Sequence, residues 1–286
     1  MAPAPRIGFI GQGWIGKHYA DDFEARGYDV VRYGLEPAYV GNKEKIASCD
    51  IVFVAVPTPT TSSGFDHSRI NSVLPLVGKG KIAVIKSTLV PGTTEKLQDA
   101  FPHIIILSSP EFLVESTAAH DAAHPDRNII GIPKDTPEHR AAAEQVLAVL
   151  PKAPFSIVCS SKEAELIKYL HNVHGYFQII FSNLSYDLAS KIGAGWEPIK
   201  QACLADPMMS HRYLDPVHKK GRGAGGDCFI KDFAAFRDFY EKQVGDKAGT
   251  DVLKSIEQKN IRLLVETKKD LGLLRGVYGE DVEHIS

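Results

Sequence analysis

A cysteine within a glycine-rich stretch is the residue of this sequence that is best suited to covalent chemistry. Residues 221–232 read GRGAGGDCFIKD, so Cys228 follows four glycines and precedes Lys231 and Asp232 by three and four positions. Glycines allow the backbone to approach a ligand closely. A nearby cation favours a thiolate, and a carboxylate can handle protons. The pattern predicts an activated nucleophile, whereas we interpret the other cysteines as inert: Cys49, Cys159 and Cys203.

A second polar group lies in a long stretch of helical periodicity. Apolar residues recur at helical spacing over residues 161–194, and Glu165, Lys168 and Asn172 stand at positions i, i+3 and i+7. Side chains at these spacings share one face of a helix. That face is either a solvated polar stripe or part of a site, and the spacing alone favours the stripe.

A glycine motif near the N-terminus predicts a dinucleotide site. Gly11-x-Gly13-x-x-Gly16 follows an apolar run and opens a predicted helix, which is the context that the dinucleotide fingerprint requires. Gly11 would make the turn, Gly13 would let a pyrophosphate approach the backbone, and Gly16 would let helix and strand pack closely.

The acidic residue that usually binds the adenosine ribose is missing from its expected place. The second predicted strand ends at Gly34, with Arg32 just before it and Glu36 just after it. Glu36 could reach the ribose, whereas Arg32 would favour a 2′-phosphate. We expect NAD as the cofactor, without excluding NADP, and a weaker preference between the two than usual.

Three further motifs follow predicted strands: VAVPTPT (54–60), KSTLVPGTTEKL (86–97) and SSPEFLVES (108–116). Ligands bind open α/β sheets at the carboxyl ends of the strands. The motifs therefore place hydroxyls and carboxylates at one edge of a sheet, namely those of Ser87, Thr88, Glu111 and Glu115.

The alternation of apolar strands with helical patterns up to residue 160 predicts a doubly wound α/β sheet. The remainder is predicted to be helical, with the long helix at 161–194 and a second long helix at 251–274. We therefore expect two domains, residues 1–160 and 161–286.

Composition excludes several functional classes. The 286 residues carry a formal net charge of −2, which gives no basic surplus for nucleic acid or an anionic membrane. No apolar stretch could span a bilayer. The four cysteines form no CxxC pair and no metal-ligand pattern, so we expect no metal and a reducing, cytoplasmic location.

Taken in order, six motifs resemble the UDP-glucose/GDP-mannose dehydrogenase family: GFIGQGWIG, VFVAVPTPT, IKSTLVPGTT, SPEFLVES, AELIKYLHN and GGDCFIKD. The resemblance implies a Rossmann-type NAD-binding domain followed by a helical dimerisation domain with a long central helix. It implies oxidation of a sugar-nucleotide alcohol to a carboxylate in two NAD-dependent steps, and a homodimer.

The resemblance also implies site residues. Cys228 matches the catalytic cysteine, Lys168 an oxyanion-stabilising lysine, and Asp232 and Thr88 residues that manage water and protons. Glu115 matches a second candidate base, and Arg212 an arginine that reaches the substrate of the neighbouring subunit. The other implied substrate contacts are Glu111, Phe112, Leu113, Asn172 and Gly225. The implied cofactor contacts are Gly11, Gly13, Trp14, Ile15, Gly16, Glu36, Val56, Pro57, Thr58, Ser87, Thr88, Glu115 and Lys231.

Besides the missing ribose acid, the sequence departs from the family pattern in three places. Residues 36–49 form a short link where the family has a longer segment, and Ala224 replaces a usual aromatic residue. The family's second Rossmann-like domain has no counterpart in the sequence, so we expect either a separate chain that supplies it or a different substrate. The alternatives are a relative that oxidises a smaller or non-nucleotide alcohol and a non-catalytic dinucleotide-binding or assembly protein.

Overall fold

The computed structural model describes residues 4–284, which divide by their contacts into two units. The first unit contains the residues up to Thr58 together with 66–168, and the second contains 59–65 and the residues from Tyr169 onward. The first turns of the long helix thus belong to the first unit. The domain boundary at residue 160 stays a prediction.

A seven-stranded sheet forms the centre of the first unit. Its strands β1 to β7 are Ile7–Ile10, Val30–Tyr33, Ile51–Val54, Ile82–Ile85, Ile105–Ser108, Arg127–Ile132 and Phe155–Ser160. They lie in the order β2-β1-β3-β4-β5-β6-β7, and every pair of neighbours is parallel except β5 with β6. The predicted doubly wound α/β class is confirmed, with one antiparallel step.

Five helices accompany this sheet. Helices α1 to α5 are Trp14–Ala25, Ser68–Val73, Thr93–Ala100, Ala118–Ala123 and Pro137–Val149. Strands β1, β3 and β4 are buried along their whole length, as their continuous apolar sequences predict for parallel strands. In the core, the ring of Phe9 stacks on Phe53 and packs edge-on against Phe23. The short link at 36–49 contains a 3₁₀ helix, Val40–Ser48.

The second unit is helical, apart from two short hairpins that join Thr60–Thr61 to Gly64–Phe65 and Val217–His218 to Gly221–Arg222. Its helices are α6 to α10, at Ser161–Lys191, Trp196–Ala205, Gly226–Val244, Lys247–Glu266 and Leu271–Tyr278. Helix α6 begins with a reciprocal cap, since the Ser160 hydroxyl accepts from the Glu163 N–H and the Glu163 carboxylate accepts from the Ser160 N–H. In the core of this unit, the ring of Tyr176 stacks on Phe233.

The prediction of one helix at 251–274 was wrong. Helix α9 ends at Glu266 and α10 begins at Leu271, because Lys268 and Asp270 between them adopt left-handed backbone angles with φ of 53° and 55°. A helix cannot continue through such residues. The break brings a short polar turn close to the glycine-rich loop before α8.

Candidate active site

The turn between β1 and α1 forms an open cradle for an anion. Gly11 has φ of 92°, and a Cβ there would lie 2.4 Å from the carbonyl oxygen of Ala55. A Cβ on Gly16 would lie 1.9 Å from the carbonyl oxygen of Gly11, whereas one on Gly13 would meet no described atom within 4 Å. Space is therefore open beside Gly13, and no side chain caps the start of α1, which fits the pyrophosphate of a dinucleotide.

Glu36 occupies the place from which the missing ribose acid would project. A Cβ on Gly34, the residue after β2, would lie 2.1 Å from Oε2 of Glu36. The carboxylate thus lies where a side chain at position 34 would begin. We expect this carboxylate to be available to a ribose diol bound beside Gly34.

Arg32 is already paired within the first unit. Its guanidinium donates to both carboxylate oxygens of Glu24, at 2.8 and 2.7 Å, and forms an ion pair with Asp21 at 2.7 Å. These contacts occupy the fork that would bind a phosphate. The structure therefore removes the sequence argument for a 2′-phosphate at Arg32.

The loops that follow β3 and β4 are hydrogen-bonded to each other. The hydroxyl of Ser87 donates to the carbonyl of Val56 at 2.6 Å, and the hydroxyl of Thr58 donates to the carbonyl of Thr88 at 2.8 Å. Two motifs about thirty positions apart thus form one surface at the carboxyl edge of the sheet, as the sequence predicted. Pro57 lies between the two bonded residues of the first loop.

A buried acid and a buried lysine meet in the first unit. Oε1 of Glu111 lies 3.6 Å from Nζ of Lys168, while its Oε2 accepts from the N–H of Leu113 at 2.8 Å. The centre of the Phe112 ring lies 5.3 Å from the ammonium group of Lys168 and 3.9 Å from the guanidinium carbon of Arg127. A buried, paired ammonium group of this kind can stabilise a developing anion. Arg127 gave no sequence signal, because it simply begins an apolar strand.

Sequence reasoning also missed Lys86. This lysine is 4% exposed, its Nζ donates to the Ser109 hydroxyl at 3.1 Å, and it lies 4.4 Å from the centre of the Tyr19 ring. Burial lowers the pKa of Lys86 to about 8, and the nearby Glu111 carboxylate acts in the opposite direction. A single lysine after an apolar strand is easily taken for the strand boundary.

The polar stripe on α6 is not solvated, because Glu165, Lys168 and Asn172 are all buried. Glu165 caps the start of α3, where its carboxylate accepts from the N–H groups of Gly92 and Thr94 and from the Thr94 hydroxyl. Glu165 therefore has a structural role, whereas Lys168 contacts Glu111 and Asn172 contacts Asp232.

Cys228 is the third residue of α8 and is partly buried. Asp232 lies one turn later on the same face and is 1% exposed. Its Oδ2 accepts from Nδ2 of Asn172 at 2.5 Å, and its Oδ1 pairs with the ammonium group of Lys231. The N–H groups at the start of a helix favour an anionic sulfur placed in its first turn. By contrast, burial raises the pKa of Cys49 to about 11, which fits an inert thiol.

Three of the residues singled out from the sequence lie outside these buried clusters. Glu115 is exposed in the 3₁₀ turn Glu115–Thr117, and Arg212 is exposed in the loop after α7. At Gly225, a Cβ would lie 2.0 Å from Oδ2 of Asp270, so the packing of the chain itself requires glycine there.

Among residues 4–284 there is no group of three or more His, Cys, Asp or Glu residues that could hold a metal ion. Within the same range, no helix is both long and apolar enough to cross a membrane.

Comparison with known proteins assigns the family. The model for the NAD binding domain of the UDP-glucose/GDP-mannose dehydrogenase family matches residues 37–150, and the model for the central domain matches residues 162–262. The chain belongs to this family. Its first unit is an NAD-binding domain, although the match begins after the glycine motif, so the cradle at Gly11–Gly16 rests on the geometry described above.

Relatives and solved structures agree with this family. The chain is 29% identical to a UDP-glucose 6-dehydrogenase of Rickettsia prowazekii, covering 74% of this chain and 49% of the relative. It is 31% identical to a putative UDP-glucose 6-dehydrogenase of Bacillus subtilis, covering 81% and 62%. The structure of a UDP-glucose dehydrogenase from Pyrobaculum islandicum aligns with a TM-score of 0.77 at 26% identity, covering 93% of this chain and 70% of the other. The chain thus spans about half to three fifths of the length of these curated relatives.

Proposed function

We propose that this protein is an NAD-dependent nucleotide-sugar dehydrogenase that oxidises the primary alcohol of a UDP-glucose-type substrate to a carboxylate. The observation that carries the proposal is Cys228 in the first turn of α8, one turn before a buried Asp232 that is held by Asn172 and Lys231. A simple alcohol dehydrogenase has no need of a nucleophilic thiol so placed.

The proposed chemistry has two oxidations joined by a covalent intermediate. NAD, when bound, accepts the hydride in each oxidation. After the first oxidation, the sulfur of Cys228 adds to the carbonyl carbon of the aldehyde, and the oxygen takes up a proton to give a thiohemiacetal. The second oxidation converts this to a thioester. Water then displaces the thiol and releases the acid, so each product requires two NAD and one water.

The remaining residues have supporting roles in this proposal. Lys168 stabilises the oxyanion that forms at the carbonyl, because its buried ammonium group is already fixed by Glu111. Asp232 and Thr88 manage the hydrolytic water, with Glu115 as a second candidate base. The proposed substrate contacts are Glu111, Phe112, Leu113, Asn172, Arg212 and Gly225.

The cofactor is held by the cradle of the first unit. The N–H groups at the start of α1 receive the pyrophosphate, and the carboxylate of Glu36 accepts from the ribose hydroxyls in place of an acid at position 34. The remaining proposed contacts are Trp14, Ile15, Val56, Pro57, Thr58, Ser87, Thr88, Glu115 and Lys231. With Arg32 paired internally, we expect a clear preference for NAD.

We further propose a homodimer formed through α6. Five apolar residues of this helix are exposed at helical spacing, namely Leu166, Leu170, Phe181, Leu184 and Leu188. An apolar stripe of this length requires cover, and a second copy of the helix would provide it. The four free cysteines fit a reducing cytoplasm.

The test is an assay of NADH formation against a panel of sugar nucleotides and non-nucleotide alcohols, with the acid quantified. We expect two NADH per acid with one sugar nucleotide. Cys228→Ser should stop acid formation while NAD binding and the unfolding temperature stay as in the wild type. Cys203→Ser, which changes a cysteine of α7, is the matched control and should retain activity.

Acid formation by Cys228→Ser at the wild-type rate would exclude the covalent route. One NADH per product, or turnover only with a non-nucleotide alcohol, would replace the proposed reaction with a simpler oxidation.

A further inference from the structure

The loop before Cys228 is rich in glycine and therefore has little conformational preference of its own. Residues 223–226 read GAGG, and Gly223 and Gly226 have left-handed φ of 86° and 80°. A glycine-rich segment has high conformational entropy when it is not held, so its order must come from contacts with other elements. Those contacts are supplied by α9 and by the turn that follows it.

Asn260, on α9, pairs with both peptide groups of Ala224. Its Oδ1 accepts from the N–H of Ala224 at 2.7 Å, and its Nδ2 donates to the carbonyl of Ala224 at 3.0 Å. Both residues are almost fully buried. A Cβ on Gly223 would lie 2.8 Å from Oδ1 of Asn260, so the approach itself requires glycine at that position. One side chain thus fixes the peptide plane on each side of the residue four positions before Cys228.

Asp270 holds the next point along the loop. It immediately precedes α10, where an aspartate usually caps its own helix, but it makes no such bond. Its Oδ2 instead accepts from the N–H of Gly226 at 2.8 Å, at the first residue of α8. The left-handed backbone of Asp270 accompanies this arrangement, and backbone strain of this kind concentrates at functional sites.

Two further hydrogen bonds complete the attachment. The Thr267 hydroxyl accepts from the N–H of Arg222 at 3.0 Å, and Nζ of Lys269 donates to the carbonyl of Gly223 at 2.9 Å. Residues 222, 223, 224 and 226 are therefore all bonded to the second half of α9 or to the turn that follows it.

We propose that Asn260, with Asp270 as a second anchor, is a positioning residue for Cys228. The inference rests on the proposed function, in which the Cys228 sulfur is the nucleophile. Asn260 and Asp270 together set where α8 begins and therefore which N–H groups of its first turn face the sulfur. A covalent step loses rate steeply when the nucleophile is displaced by as little as 1 Å. Asn260 should therefore affect the reactivity of the thiol and kcat, and should leave cofactor binding unchanged.

The first measurement needs no substrate. Native protein is alkylated with iodoacetamide across a pH range, and trypsin then releases residues 223–231, whose only cysteine is Cys228. Asn260→Ala and Asn260→Asp are compared with the wild type. The second variant keeps the side-chain volume and the acceptor for the Ala224 N–H, but replaces the donor to the Ala224 carbonyl by a carboxylate oxygen and adds a negative charge. Its kcat and KM, which are measured below, therefore keep the test open if the alanine variant does not fold. Asn128→Ala is the matched control, because Asn128 is also buried and its amide donates to the carbonyl of Pro151 in the other unit.

We expect the pH at which alkylation is half-maximal to rise by about half a pH unit in Asn260→Ala, since the sulfur loses part of the first-turn field. In Asn260→Asp the rise should be larger, because the added carboxylate also disfavours the thiolate. The Asn128 control should keep the wild-type curve. Folded Asn260 variants with the wild-type curve would overturn the proposal.

The second measurement separates kcat from KM in the NADH assay. We expect kcat for acid formation to fall by about tenfold or more in the Asn260 variants, with KM for NAD unchanged. An unchanged kcat, or an equal loss in the Asn128 control, would reduce Asn260 to a purely structural residue. If the wild type shows no turnover with any substrate, the proposed function fails, and the alkylation curves still decide the role of Asn260.

Discussion

The side-chain amide of Asn172 on α6 donates a 2.5 Å hydrogen bond to the buried carboxylate of Asp232 on α8. The other oxygen of this carboxylate pairs with the ammonium group of Lys231. Removing one partner of a buried polar pair leaves the other without compensation, which costs several times more than the pair itself contributes. The bond thus links the stability of the second unit to the group proposed to manage the hydrolytic water.

We predict strong coupling between these two residues. Asn172→Ala and Asp232→Ala should each lower the free energy of unfolding by about 2 kcal/mol, and the double variant should lose at least about 1 kcal/mol less than the sum of the two. Urea unfolding of the four proteins measures this coupling. Asn128→Ala combined with Asp232→Ala is the control, and its effects should add because the two residues lie in different units. Additive losses for Asn172 and Asp232 would show that their hydrogen bond contributes little.

We predict that Glu36 and the partners of Arg32 together set the choice of cofactor. Glu36→Gln should weaken NAD binding about fivefold, because a neutral amide accepts less strongly from the ribose hydroxyls than a carboxylate does. Asp21→Asn combined with Glu24→Gln should free the Arg32 guanidinium and strengthen NADP binding about fivefold. Titration of each variant with both cofactors measures these effects. Unchanged NADP affinity in the double variant would mean that Arg32 lies out of reach of the 2′-phosphate.

We predict a rise in stability with pH that originates at Lys86. Its pKa is about 8 in the folded chain, against an ordinary 10.5, so the unfolded state binds more protons between these two values. The free energy of unfolding should therefore increase as the pH rises from about 8 to about 10.5, by about 3 kcal/mol at most. Below pH 8 the Lys86 ammonium group is charged in both the folded and the unfolded state, so its burial beside Tyr19 and Ser109 lowers the free energy of unfolding by the full amount.

Urea unfolding of the wild type and of Lys86→Met at pH 7 and pH 9.5 tests this assignment. The methionine variant should lose most of the rise, whereas Lys79→Met, which changes an exposed lysine of the same unit, should retain it. An equal rise in all three proteins would place its origin in other groups.

The sequence predicted those parts of the fold that depend on local pattern. Fully apolar runs identified the strands, and the spacing of Gly11, Gly13 and Gly16 predicted a turn that the structure builds by close contact of backbone atoms. The helix at 251–274 was predicted as continuous because its apolar spacing hardly changes at the break. Only the left-handed backbone of Lys268 and Asp270 ends it, and neither residue is a glycine.

Residues whose roles come from distant contacts could not be predicted. Asn260 contacts a residue 36 positions away and Asp270 one 44 positions away, and within its own helix or turn each resembles an ordinary polar residue. Glu165 shows the converse case: its spacing groups it with Lys168 and Asn172, but its carboxylate caps α3. A shared helix face brings residues together without fixing what each of them contacts.

The exposed stripe on α6 leads to a prediction about assembly. Phe181, Leu184 and Leu188 lie at spacings of three and four residues, so they follow one side of the helix, and each is about half exposed or more. Exposure of this stripe to water costs roughly 25 cal/mol of free energy for each Å² of apolar surface. Packing against the same stripe of a second copy would remove that cost by a symmetric contact.

Leu184→Glu and Leu188→Glu should therefore convert the dimer to a monomer, because each copy would bring the same charge into an apolar contact where it has no partner. Sedimentation velocity over a hundredfold range of concentration measures the change. Leu273→Glu is the matched control, since this leucine is also partly exposed but lies on α10, and it should leave the dimer intact. The proposed role of Arg212 in the neighbouring subunit gives a second readout: the monomeric variants should lose sugar-nucleotide turnover while their NAD binding remains. A wild type that is monomeric throughout and fully active would exclude both the interface and the role of Arg212 across it.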